Sequence, residues 1–150
     1  GFPMTYNDQF KFNVWLAQAA HERGMACGLK NDVGQAAELE PYFDFAVSEQ
    51  CIQYNECGVF DNFIKANKPV FLCEYELSTA QFCPEANYRK FMGIRKDVDL
   101  GAEYEACPFW WTPEGKAITP DTLPGPPTST ETLDSDLVLS LDVVEGYAGQ

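Results

Sequence analysis

The chain has 150 residues, about one domain's worth, and its 45% apolar and 14% aromatic content is ample for a packed core. A formal net charge of −13 and a pI near 4.2 exclude nucleic acid and anionic membrane surfaces as partners, because their phosphates require Lys and Arg. The same balance suits a cationic or neutral ligand, and equally a solvated acidic surface.

The opening GFPMTY reads as the inside of a loop, with neither an initiator Met nor a signal peptide, as in a fragment or a processed product. No run of about 18 apolar residues follows, so no membrane-spanning helix is expected. Residues 7–23 predict an amphipathic helix. Phe10, Val14, Ala17 and His21 share one face, and Phe12, Leu16 and Ala20 recur at helical spacing. Asn7 or Asp8 suits its N-cap, and Gly24 its stop.

A repeating pattern comes next. MACGLKND is a short apolar run ending in Lys30, Asn31 and Asp32, and residues 33–39 suit a short helix. FDFAVSEQ predicts a strand ending in Glu49, and residues 57–67 a helix. PVFLCEYE predicts a strand ending in Glu74, Tyr75 and Glu76. AQFCPEANYRKF predicts a partly helical stretch broken by Pro84, and FMGIRKDVD a strand ending in Lys96 and Asp97. Strands and helices alternating at this spacing mean βα units and a parallel sheet covered by helices on one face. Four such units leave two unpaired sheet edges and amount to half of a (β/α)8 barrel. An open doubly wound sheet is the weaker expectation, because no Gly-rich phosphate loop follows any strand.

Beyond Trp111 the composition changes. Residues 112–132 carry five of the ten prolines and seven Thr or Ser residues. The chain therefore divides into a βα domain, 1–111, and a Pro/Thr-rich acidic tail, 112–150, expected to be disordered.

Six cysteines stand at 27, 51, 57, 73, 83 and 107, none in a C-x-x-C pair, and His21 is the only histidine. No metal or cofactor is expected from such spacing. Cys51 and Cys57 flank a short loop, and Cys83 and Cys107 fall outside the predicted strands. Disulfides Cys51–Cys57 and Cys83–Cys107 are expected, in an oxidising compartment. Cys27 and Cys73 fall inside apolar runs two strands apart. Their Cα atoms should be about 9–10 Å apart, beyond bridging reach, which leaves them reduced.

In both barrels and open sheets the site lies where parallel strands end. Glu49 is the leading candidate there. A carboxylate in the mouth of a sheet is partly buried, which raises its pKa as a general acid at neutral pH requires. The alternative is a strand-end Glu paired with Lys30 or Lys96. Lys30, Asn31, Asp32, Glu74, Tyr75, Glu76, Lys96 and Asp97 would line a polar cleft around it. Paired carboxylates with flanking aromatics suit glycoside hydrolysis. Tyr54, Tyr75, Phe109, Trp110 and Trp111 could stack on sugars or simply pack. His21, on the first helix, lies far from the strand tips, which excludes Ser–His and Cys–His mechanisms.

The stretches AHERGMACGLKND, PYFDFAVSEQCIQYNEC, KPVFLCEYE and KDVDL resemble glycoside hydrolase family 114 over about residues 1–110. The resemblance implies a secreted (β/α)8 enzyme that cleaves α-1,4-linked galactosamine polymers, cationic when deacetylated. Of the two catalytic carboxylates it implies, the Glu of its EQC motif falls on Glu49. The other is an Asp at the end of an earlier strand, upstream of Gly1, so a partner half-barrel is expected there. Ser48 stands where the family often has Asn. For substrate contact, the cleft residues Lys30, Asp32, Tyr54, Glu74, Tyr75, Lys96 and Asp97 are the candidates. A fragment with one carboxylate is expected to be inactive. The alternatives are a non-catalytic member that binds amino-sugar polymer and an unrelated α/β binding domain.

Overall fold

A computed structural model of the chain describes residues 3–108, 110–111 and 117–118. It opens with helix α1, Tyr6–His21. Its N-cap is Thr5, not Asn7 or Asp8. The Thr5 hydroxyl accepts the Asp8 N–H at 3.2 Å, and the Asp8 carboxylate accepts the Thr5 N–H at 3.0 Å. This reciprocal capping box satisfies two donors at once, which neither expected cap could do alone. Ala17 is buried, with Phe10, Val14 and Ala20 against the same core. Of the second expected set, Phe12, Leu16 and Ala20, only Ala20 joins the core, while Phe12 and Leu16 are exposed together with Trp15.

Strand β1, Gly28–Lys30, leads to a turn and to α2, Ala36–Leu39, shorter than the 33–39 helix expected. Strand β2 is Phe45–Glu49. A 3-10 turn, Cys57–Phe60, continues into α3, Asp61–Lys65. Strand β3 is Val70–Glu74, helix α4 Thr79–Arg89 and strand β4 Met92–Arg95. Pro84 sits within α4 and does not break it. The proline removes one intrahelical donor, but both it and Ala80, whose carbonyl loses that partner, are exposed to water.

The four strands run parallel in chain order, β1-β2-β3-β4, with no reversal of the kind that marks a doubly wound sheet. A strand absent from the sequence reading, β5 (Glu105–Ala106), pairs antiparallel with β4. Of the two edges expected to be unpaired, that of β1 is, among the described residues, whereas that of β4 is covered by the two-residue β5, which becomes the margin on that side. Two more short strands, β6 (Trp110–Trp111) and β7 (Ala117–Ile118), form an antiparallel pair across the boundary that composition sets at 111. The expected disorder of 112–150 otherwise lies outside the described residues, as does Phe109.

The two faces of the sheet differ. Ala46, Val70 and Leu72 are buried in one core with Leu39, Phe63 and Phe82 from the helical layer. The alternate residues Phe45, Val47, Phe71, Cys73, Met92 and Ile94 are less covered and lie on an open face. That face holds an apolar hollow of about 240 Å³. Phe45 and Phe71 meet edge to face there, their centroids 5.8 Å apart. Gly28 makes room for this pair, since a Cβ on it would stand 2.1 Å from Phe45 Cε2.

Both expected disulfides are present, Cys51–Cys57 and Cys83–Cys107, and Cys27 and Cys73 are free. The expected 9–10 Å between the free pair is too short. Cys27 lies before β1, level with Asp44, whose N–H donates to its carbonyl, whereas Cys73 lies level with Glu49. Five residues of strand rise, about 16 Å, add to the two-strand offset.

Candidate active site

Three side chains converge where β1, β2 and β3 end. Glu49 closes β2 and, by the two-residue strand period, follows Phe45 and Val47 onto the open face. Lys30, the last residue of β1, places Nζ 3.0 Å from Glu49 Oε2. Tyr75, just past β3, donates its hydroxyl to Glu49 Oε1 at 2.6 Å. The Glu49 backbone N–H donates to Asn31 Oδ1 at 2.8 Å. Asn31 and Asp32 both adopt positive φ, 52° and 49°, which turns the chain sharply off β1 and aims the Asn31 amide back at β2.

These contacts reverse one expectation. Burial pushes the Glu49 carboxyl up, but the Tyr75 hydroxyl, the Lys30 ammonium and Asn31 favour the charged form and prevail. Glu49 is held below the ordinary glutamate range, not above it. Burial and the neighbouring Glu49 carboxylate push the Tyr75 phenol well above its usual range, so Tyr75 stays a donor. Burial likewise raises the Cys73 thiol beside them.

The other expected cleft residues make other contacts. Asp32 turns toward the helical layer and accepts the Asn13 amide at 2.8 Å; burial raises its pKa. Glu74 is fully buried on the helix side of β3, where its Oε1 accepts the Ile52 N–H at 2.9 Å. Lys96 donates to the Gly101 carbonyl at 2.6 Å, and Asp97 accepts the Gly101 N–H at 3.3 Å, so both are tied into one turn. Tyr54 is 61% exposed on the loop after β2. His21 pairs with Asp44 at 2.8 Å, at the opposite end of the strands from Glu49. Among the described residues, no cluster of His, Cys, Asp or Glu is placed to hold a metal ion.

Gln50, the first residue of the loop after Glu49, was not anticipated as part of the site. Gln50 has φ 58° and donates its N–H to the Cys73 carbonyl at 2.8 Å. Asn13 was missed too, although it interrupts the buried stripe of α1 between Phe10 and Ala17, and a polar residue there needs a partner.

The family model described as "Glycoside-hydrolase family GH114" matches residues 1–109. The chain belongs to glycoside hydrolase family 114. Among solved structures it is similar to Aspergillus fumigatus Ega3, crystallised in complex with galactosamine. The two share 32% identity and a TM-score of 0.65 over 71% of this chain and 48% of Ega3. The chain thus spans about half the length of Ega3. Among proteins of curated function, none matches significantly.

Proposed function

We propose that this family 114 chain is one half of a (β/α)8 barrel in a secreted hydrolase of α-1,4-linked galactosamine polymers, and that Glu49 is its catalytic carboxylate. The observation that carries this is Glu49 itself, at a strand end on the open face, held by Lys30 and Tyr75. The unpaired edge of β1, the apolar hollow and the half-length overlap with Ega3 favour a complementary set of strands that completes the ring. The galactosamine bound to Ega3 supports the substrate class.

In the completed ring Glu49 protonates the leaving oxygen as general acid. An Asp from an earlier strand, implied by the family, acts from the other side of the sugar. A second carboxylate brought near Glu49 raises its pKa, offsetting Lys30 and Tyr75. One carboxylate cannot be both proton donor and opposing nucleophile or base in one step, so the 150-residue chain alone does not hydrolyse.

The test is reducing-end release from polygalactosamine by the chain alone, by the chain completed with an upstream half-barrel, and by the completed chain carrying Glu49→Gln. The completed chain turns over, and the Gln variant falls by about 10²–10⁴. Near-normal turnover by the Gln variant removes Glu49 from the mechanism, and hydrolysis by the chain alone overturns the half-barrel. A second reading, amino-sugar binding without hydrolysis, is favoured by the closed Lys30–Glu49 pair. It predicts salt-sensitive polymer binding with no turnover in the completed chain.

A further inference from the structure

Glu74 is a buried acid to which the proposed chemistry gives no task. It ends β3 with its side chain on the helix side and no exposed surface. No cation pairs with it among the described residues. One oxygen, Oε2, has no hydrogen-bond partner there. Such a group is costly to bury.

Its other oxygen shows what it does. The chain after Glu49 makes a single helical turn, closed by the Tyr54 N–H donating to the Gln50 carbonyl at 3.0 Å. A turn of this kind leaves its first N–H groups without partners. Glu74 Oε1 takes the Ile52 N–H at 2.9 Å, and the Gln53 N–H also reaches the carboxyl. Gln50 is anchored one residue away on the same strand, to the Cys73 carbonyl, and the Cys51–Cys57 disulfide closes the far end. Successive residues of β3 and its extension thus grip the end of β2 from two sides. Tyr75 holds the Glu49 carboxylate from the open face, and Glu74 holds the turn that begins at Gln50 from beneath.

We infer that Glu74 is a positioning residue, whose buried carboxyl fixes the turn after β2 and so holds Glu49 against Lys30 and Tyr75. Its catalytic consequence rests on the proposed hydrolase activity; the placement of Glu49 does not.

The experiment uses the 150-residue chain with Glu74→Gln and Glu74→Ala, with Glu74→Asp should the Ala variant fail to fold. Carbon-detected NMR follows the titration of the Glu49 carboxyl, and hydrogen exchange follows the Ile52 amide. The groups facing Glu49 are Lys30 from β1 and Cys73 and Tyr75 from β3, so a shift in its titration reports its distance from them. The Gln variant keeps an acceptor for Ile52 and leaves Glu49 titrating below the ordinary range. In the Ala or Asp variant Glu49 moves up toward that range, and Ile52 exchanges at least about tenfold faster. A merely structural acid would lower the unfolding temperature without moving Glu49, and that result overturns the inference. In the completed enzyme the Ala or Asp variant loses about 10²-fold in kcat with KM little changed. If Glu49→Gln leaves activity intact while Glu49 still shifts in the Glu74 variants, the hydrolase mechanism fails and the positioning role stands.

Discussion

Tyr75 and Glu49 meet hydroxyl to carboxylate at 2.6 Å, across the ends of two neighbouring parallel strands. The tyrosine lies two residues beyond Cys73, which stands level with Glu49 in the ladder, so its phenol leans back over the acid. With Lys30 on the second oxygen, the carboxylate is bound on both sides in its charged form.

Removing either donor therefore raises the Glu49 pKa. Tyr75→Phe and Lys30→Met should each move its NMR titration upward, and the double variant further than either. The linkage follows from a folded value that lies below the unfolded one. The contribution of Glu49 to stability is present above the ordinary glutamate pKa and is lost as pH falls through the lowered one. Both variants should show a shallower loss of stability in that acid window. An unshifted Glu49 in Tyr75→Phe would mean the hydrogen bond does not persist in solution.

Glu74 has the opposite sign. Burial raises its pKa, partly offset by the N–H groups of Ile52 and Gln53. It favours the fold in its protonated state, so stability declines as pH rises from about 4.3 toward the raised value. Glu74→Gln removes that decline. Urea titrations from pH 4 to 8 should show the Gln variant gaining on the wild type as pH rises. Parallel curves for the two proteins would contradict a raised pKa.

The two disulfides should differ in worth. Cys51–Cys57 closes a sequence separation of 6 and Cys83–Cys107 one of 24. Loop-closure entropy then assigns about 2 kcal/mol to the first and about 3.5 kcal/mol to the second. Paired Cys→Ser variants, unfolded in urea, give the comparison. A larger loss on opening the short loop would mean that the bridge acts on the folded state, through the turn after Glu49.

Gly93, on the helix side of the sheet, has no room for a side chain. A Cβ there would stand 2.8 Å from Cys107 Sγ and 3.1 Å from Phe82 Cε2. The sulfur is fixed by its bond to Cys83, so it cannot swing aside. Gly93→Ala should cost about 1–3 kcal/mol. Gly58→Ala, with nothing within 4 Å, serves as the control. Equal denaturation midpoints for the two variants would show that the helix layer yields more easily than the geometry implies.

The parallel order of β1 to β4 was legible because each strand is a short apolar run closed by polar residues, and both disulfides were legible from cysteine placement. Glu49 stood out by its position at a strand end. Its lowered pKa did not, because that depends on which side of the sheet Tyr75 faces. Phe71 and Leu72 are both apolar, so alternation in β3 left the faces ambiguous. Only packing shows that Leu72 and Glu74 point to the helices and Cys73 and Tyr75 to the open side. Strand β5 was invisible for a different reason. Two residues carry no periodicity, and its place is set by the Cys83–Cys107 bridge and by the Cys107 N–H donating to the Gly93 carbonyl at 2.9 Å.

That bridge also limits how copies of this sheet could join. With β5 stapled along β4, the margins of the sheet among the described residues are β1 on one side and the two-residue β5 on the other. Two copies pairing through β1 would satisfy each other and leave only the two-residue β5 margins to recruit a third. Edge-to-edge association then favours a closed pair over a growing fibre, because so short a margin offers few ladder hydrogen bonds. Reducing Cys83–Cys107 would free the longer margin of β4, Met92–Arg95, and weaken that preference.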